Sequence, residues 1–298
     1  MTFAANQNKI TAAYVTQFHD TFEINCQQKE SRLLKTVHNR GKITGSSFTI
    51  NDMGSLEMKE RTRYGNTEWD LPDAGTRRVY LADKDLAVPI EKMDIPKLLA
   101  DIQGPYMKAC VYAYQRKVDD VIYNALIGGI DRVDAYNGAV TKVQLPNTQI
   151  ITHSGTGITK DKILVAKSIF RANECDEQNG ETIYMTYDAA MMVELLGDTT
   201  LTSADFMSIK MLQAGQVGVN WCGVTWIPYE KLAKSTDGAY KKAVMYTNSA
   251  VHYGQGSAFD VDISKRPDKN NTLQIYVDAS MAAGRANEQK VVEVQIAA

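Results

Sequence analysis

Cysteine is scarce: the 298 residues hold four, at 26, 110, 175 and 222, with no C-x-x-C pair among them. That spacing excludes a zinc knuckle and a disulfide framework, and it fits scattered reduced thiols in a protein folded in a cytoplasm. Histidine is as sparse. His19, His38, His153 and His252 stand outside any metal-ligand pattern such as H-E-x-x-H, so each reads as a surface or packing residue. An excess of one charge is missing too. With 33 Lys and Arg against 35 Asp and Glu, the net charge of -2 gives no basic field for a dedicated nucleic-acid binder. No apolar run approaches the roughly 20 residues of a membrane span. The opening MTFAANQNKITAAYVTQFHD lacks the basic start and apolar centre of a signal peptide, so a soluble, unexported chain with no membrane partner is expected.

The frames of common catalytic sites are also absent. His153 and Ser154 adjoin in HSGTG, but without the G-x-S-x-G elbow of a serine nucleophile this is a turn. Gly254 and Gly256 in YGQGSAF begin a dinucleotide fingerprint whose third glycine is Phe259, so this too reads as a flexible turn. No P-loop occurs. These absences point to a structural or binding protein, with no catalytic residue, metal or cofactor.

What is present is globular material, 44% hydrophobic and 23% charged, enough for one large domain or two smaller ones. Residues 1–45 carry Tyr14, Phe18, Phe22 and Ile24 at helical spacing, then Leu33, Leu34 and Val37. No run there closes a core by itself, so this arm is expected to dock on the main body or on another chain. From Ser46 the pattern alternates, with Phe48 and Ile50 on one side of a strand. Asp94-Ile95-Pro96 reads as a helix start, and Gly104-Pro105 as its interruption. In PYMKACVYAYQRKVDDVIYNALIGG the apolar positions Met107, Val111, Tyr114, Val118, Val121, Ile122, Ala125 and Leu126 predict a helix of about 33 Å, closed by Gly128-Gly129.

Asp131 to Gly157 is rich in turn formers and reads as a connection, with one strand at Gln149 to Thr152. TKDKILVAKSIFRANE predicts a second helix with Ile163, Ala166, Ile169 and Phe170 inward. ETIYMTY then reads as a strand and DAAMMVELLGD as a helix. GQVGVNWCGVTWIPYEKL gives two extended limbs with Trp221 and Trp226 in the core, and KKAVMYT, FDVDISKR, LQIYVDASMAAGR and VVEVQI add strands. The fold class is α+β.

One stretch resists a single-domain account. LEMKERTRYGNTEWDLPDAGTRRVYLADKD, residues 56–85, interleaves seven acidic and six basic side chains. It offers little apolar surface to offset the entropy of ordering, yet Trp69 and the turn residues Gly65, Pro72 and Gly75 suggest a broad β-hairpin.

In this order of elements the chain resembles the major capsid proteins of tailed bacteriophages, with their Hong Kong ninety-seven type fold. The likeness runs through the arm, the loop and PYMKACVYAYQRKVDDVIYNALIGG as the spine helix. It continues through ETIYMTYDAAMMVELLGDTTLTSADF, QVGVNWCGVTWIPYEKL and KAVMYTNSAVHYG. The resemblance implies an N-terminal arm at 1–45, an extended loop at 46–80 and a peripheral domain with the spine helix at 81–150. An axial domain at 151–254 and late strands at 255–298 returning to the peripheral domain complete it.

By the same resemblance, hexamers and pentamers of the chain tile an icosahedral head, the virion's capsid, around double-stranded DNA held by non-specific contact. A portal protein and a decoration or cement protein are implied partners, with assembly in the host cytoplasm. The arm starts almost at Met1, leaving no room for the leading scaffold region of some members, so a separate scaffolding protein is expected. The family's isopeptide cross-link is not carried over, because no local motif identifies Lys59 or Lys84 with it. Laid across a neighbour, the loop offers Arg61, Arg63, Arg77 and Arg78 to acidic groups and Glu68, Asp70 and Asp73 to basic ones, with Trp69 as anchor. An encapsulin-type shell around a cargo enzyme is the first alternative, and an unrelated soluble enzyme the second.

Overall fold

The computed structural model describes residues 27–61, 63–67, 69–90, 103–197, 222–257 and 259–297. The helical pattern of the first arm residues, the helix start at Asp94, the LTSADF segment, Trp221 and Glu68 lie outside them. The chain divides into two compact units, one of 31–84, 117–258 and 279–298, the other of 1–30, 85–116 and 259–278.

The larger unit holds two sheets built from alternating sequence. In the first, β2 (Ser47–Met53) pairs antiparallel with β3 (Ala74–Tyr80), Phe48 facing Val79 and Ile50 facing Arg77. The segment read as a connection closes this sheet: β5 (Ile130–Asp134) joins β3, and β6 (Val140–Val143) joins β5. Its half-buried residues mix polar and apolar side chains on both faces and so hide the period of two, and only Ile130 is buried. Asp134 shapes the hairpin, its carboxylate accepting from the backbone N–H of Tyr136 at 2.7 Å and Asn137 at 3.1 Å. Phe48, Ile50, Val79, Ile130 and Ala282 form the core beneath.

The second sheet runs β7 (Ile150–Ile151), β14 (Val291–Ala297), β10 (Tyr240–Thr247), β8 (Ile183–Tyr187), β9 (Val224–Pro228). β8 and β9 are parallel, with helix α3 (Ala189–Gly197) in their connection, and the β14–β10–β8 pairings are antiparallel. β14, from the last residues of the chain, thus lies between β10 and β7. Its Val291, Val292, Val294 and Ile296 are buried.

Helix α2 (Lys160–Ala172) packs on β14 and turns Ile163, Ala166 and Phe170 inward, as its period predicts. Thr159 caps it by accepting from the Lys162 N–H, with Asp161 in the first turn and Arg171 in the last, matching the helix dipole. The Lys162 ammonium donates to the carbonyls of His153, Thr156, Gly157 and Gln295 at 2.8 to 3.2 Å and so fixes the HSGTG turn.

Helix α1 (Gln103–Ile127) covers 25 residues, about 37 Å, with Gly104-Pro105 in its first turn, where the sequence has the helix restart; the stretch before Gln103 lies outside the described residues. Its last turns belong to the larger unit, where Val118, Ile122, Tyr123 and Leu126 are buried. There Asp119 anchors the end of the arm. Fully buried, it accepts from Ser31 Oγ at 2.5 Å and from the N–H groups of Arg32 and Leu33 at 3.1 Å. Leu33 and Val37 are buried behind this clasp, and β1 (His38–Lys42) then runs parallel to β11 (Val251–Gln255). Tyr253, Gly254 and Gln255 of YGQG are thus strand, and only Gly256 falls in the bend that follows. A Cβ on Gly254 would meet Ile43 Cγ1 at 2.8 Å and Phe48 Cε1 at 3.0 Å, so this glycine serves close packing.

The smaller unit, taken by itself, centres on Ile90, Cys110, Ile275 and Val277, with Met107, Phe259, Val261 and Leu273 around them. Its hairpin pairs β12 (Asp260–Arg266) with β13 (Thr272–Arg285) from Asp260–Asp278 to Arg266–Thr272. Asn270 and Asn271 turn it, with φ of 51° and 55° in the left-handed region that asparagine tolerates. Strand β4 (Ala82–Ile90) also pairs with β13, and the end of β13 pairs with β11 in the larger unit.

Candidate assembly site at the extended loop

Between β2 and β3, the described members of 54–73 carry no regular structure and are nearly all exposed. Away from its base, an exposed segment of this kind has little in its own subunit to offset the cost of ordering it. Trp69 is 90% exposed, and Met53, Leu56, Met58, Tyr64 and Leu71 are each more than half exposed. Such a concentration of large apolar side chains in water makes this loop the candidate contact surface. Within the loop, Arg63 lies over the Tyr64 ring at 5.4 Å, and Lys59 meets Asp70 at 3.5 Å. Both contacts are solvent-exposed and contribute little.

The loop is held at its base. Tyr136 Oη donates to the Pro72 carbonyl at 2.8 Å, and Arg132 bridges Asp73 at 3.0 Å and Asp52 at 2.9 Å. Asp52 also receives Arg77 at 3.1 Å, while the remaining Arg77 nitrogens make a fork to Glu288. Glu288 in turn receives Arg285 Nε at 3.3 Å. Arg285, with no exposed surface, donates to the Leu126 and Gly128 carbonyls at 2.9 Å and to Val143 at 3.3 Å. It thereby satisfies orphan carbonyls at the end of α1. One chain of charges thus links the loop base to the helix end. Gly75 makes room for it, since a Cβ there would meet Arg132 Nε at 2.6 Å and Asp52 Oδ1 at 2.8 Å.

The electrostatics follow from this pairing. Burial pushes the Glu288 carboxyl up, but hydrogen bonds and charge from Arg77, with Arg285, outweigh it and hold the group below its ordinary value. For Arg77, burial alone would lower the guanidinium, and Glu288 and Asp52 together bring it above its ordinary value.

Of the expected contact residues, Arg61, Arg63, Trp69, Asp70, Asp73 and Arg78 are exposed, Asp73 already being paired with Arg132. Arg77 is the correction. At 4% exposure it points into its own subunit, because β3 alternates and Arg77 falls on the buried face with Gly75 and Val79 while Arg78 falls outside. Reading Arg77-Arg78 as a pair overlooked that period. The residues missed were Asp52, Arg132, Arg285 and Glu288, which lie far apart in sequence and carry no local motif. Among the described residues no three His, Cys, Asp or Glu gather to hold a metal ion, and no helix is long and apolar enough to cross a membrane.

Against known proteins, the family model described as phage capsid protein matches residues 10–298. No curated protein matches the sequence. Among solved structures, a Mycobacterium phage Che8 chain is 16% identical at a TM-score of 0.71, covering 93% of this chain and 95% of that one. The Cyanophage Pam1 capsid is 14% identical at 0.70, covering 97% of each. The capsid of a native GTA particle is 11% identical at 0.68, covering 96% of each. At these identities the likeness is one of fold.

Proposed function

Since the chain belongs to the phage capsid protein family and, as a non-catalytic structural protein, forms the shell of a phage head, we propose that the extended loop is the surface by which neighbouring copies hold one another. The observation that carries this is the loop's exposure: Leu56, Met58, Tyr64, Trp69 and Leu71, five large apolar side chains with Trp69 foremost, stand in water on a segment whose hydrogen bonds to the rest of the subunit lie at its base. Arg61, Arg63, Arg78, Glu68, Asp70 and Asp73 set the register of the contact, and Trp69 anchors it. Arg77 has a different task, holding the loop base. Exposed ion pairs contribute about 0 to 1 kcal/mol each, so they select orientation more than they supply strength.

On this reading 81–150 with the spine helix forms the peripheral domain and 151–254 the axial domain. Hexamers and pentamers repeat the contact by symmetry, so that many weak interactions add up to a closed shell around double-stranded DNA. A separate scaffolding protein, a portal and a decoration protein complete the head, which is assembled in the host cytoplasm. An encapsulin-type shell is not favoured by the family match. The test is electron microscopy and native mass measurement of the purified protein with Trp69→Ala and Arg78→Glu introduced. A folded subunit that forms no shells is expected, and normal shells from this variant refute the assignment.

A further inference from the structure

A cavity of about 460 Å³ lies within the larger unit, bounded by β3, the start of β4, the last turns of α1, the β5–β6 hairpin and the end of β13. Its size falls in the range of about 300 to 1,000 Å³ typical of binding pockets. Val79, Val121 and Ala282 supply an apolar floor, and four exposed cations, Arg78, Lys84, Lys117 and Lys142, stand around it. None of the four has an ion-pair partner among the described residues. Asp131 is the one carboxylate in the lining. It sits in register between Arg78 and Lys142 and offsets one charge at most. Arg285, also at the wall, is spent on the helix-end carbonyls and Glu288. In a chain of net charge -2, this is a concave, positively charged site with a greasy base.

The sequence contains a matching piece. The return limb of the loop, N-T-E-W-D-L-P-D at 66–73, has three carboxylates, no cation, and Trp69 and Leu71 between them; Asp73 is held by Arg132 at the base, and Asp70 meets Lys59 only in an exposed pair at 3.5 Å. Trp69 stands free in its own subunit. Resting on the reading of the loop as an inter-copy contact, we propose that this cavity of one copy receives the 66–73 limb of another. Trp69 and Leu71 lie on the apolar floor, and Asp70 with Glu68 meets Lys84, Lys117 and Lys142. A concave site with an apolar floor suits an acidic aromatic segment better than the phosphate track of duplex DNA, which needs an open cationic surface.

The experiment joins carboxylates to amines in assembled particles with a zero-length carbodiimide cross-linker and locates the bonds by mass spectrometry. Links from Asp70 or Glu68 to Lys84, Lys117 or Lys142 are expected in covalent dimers and larger species. The same links in monomers only would mean the loop folds onto its own subunit, and would overturn the proposal. Charge reversal supplies the second arm. Lys117→Glu with Lys142→Glu, both exposed, is expected to leave melting unchanged and to raise the concentration for half-assembly at least about tenfold. Adding Asp70→Lys is expected to recover part of that loss. If the pocket variant assembles normally while Trp69→Ala fails, the loop reading stands and the pocket falls. If both assemble normally, both fall. Normal shells that retain less DNA would assign the cations to nucleic acid instead, and overturn the proposal.

Discussion

Replacing Glu288 by Gln isolates the charge chain at the loop base. The change keeps size and one acceptor oxygen, but it turns the other oxygen into an amide donor and removes the carboxylate that Arg77 grips with a two-nitrogen fork and that Arg285 approaches at 3.3 Å. Both arginines are buried, at 4% and 0% exposure, so neither recovers its hydration when the counter-charge goes. Loss of one partner from a buried ion pair costs roughly 3–5 kcal/mol. The lower end applies, about 3 kcal/mol, because Arg77 keeps Asp52 at 3.1 Å and Arg285 keeps three carbonyls. At roughly 2 °C per kcal/mol for a chain of this size, thermal unfolding of the unassembled subunit falls by about 6 °C. The pH dependence has a fixed sign. The folded Glu288 carboxyl is held below its ordinary value, so in that acid window the unfolded chain binds more protons than the folded one. Stability therefore rises with pH through the window, is complete above the ordinary glutamate value, and is lost as pH falls toward the folded one. The Gln variant lacks this part of the acid slope. A variant that melts within a degree of the parent, with the same acid slope, refutes the charge-chain account.

Other tests follow from single contacts. Gly284→Ala drives a Cβ into Val79 Cγ2 and to 3.1 Å from Ile130 Cδ1, so overpacking costs about 1–3 kcal/mol by denaturant melts. Asp119→Ala strips partners from Ser31 Oγ and the Arg32 and Leu33 N–H groups. Limited proteolysis is expected to cut near residues 31–37 in that variant and to spare them in the parent. His252, pushed down to about 4 by burial and by the charges of Arg40, His38 and Lys290, stays neutral in the fold while the unfolded residue protonates near 6.5. Stability is therefore lost as pH falls from about 6.5 to about 4 and rises with pH between them, a slope that His252→Gln removes in pH-dependent melts. Arg77→Glu sets a third carboxylate against Asp52 and Glu288, so failure to fold is expected, measured by circular dichroism, whereas Arg78→Glu leaves the fold intact.

Much was legible before any coordinates. The three-and-four spacing from Met107 to Leu126 specified α1, alternation at Phe48 and Ile50 specified β2, and Ile163, Ala166 and Phe170 specified the buried face of α2. Periodicity works there because one face is buried and the other wet, so the pattern is written into residues near one another in the chain. The β5–β6 hairpin, with valines and charged residues on the same strands and only Ile130 buried, left no such trace. The loop's excess of interleaved charge was equally plain, and it marked the candidate site.

What the sequence alone determined was thus the kind and order of the elements, the absence of familiar catalytic frames, and the loop as the anomaly. Only the tertiary structure decided which of two adjacent arginines faces inward, and which distant acids answer it. It also gathered Lys84, Lys117 and Lys142, each unremarkable in its own segment, around one cavity with Arg78. The reason is physical: partners across a sheet are chosen by strand register and by the meeting of residues as far apart as Asp52 and Arg77, 25 positions, or Arg77 and Glu288, 211 positions. Nothing in the local order of side chains encodes that meeting until the strands are paired.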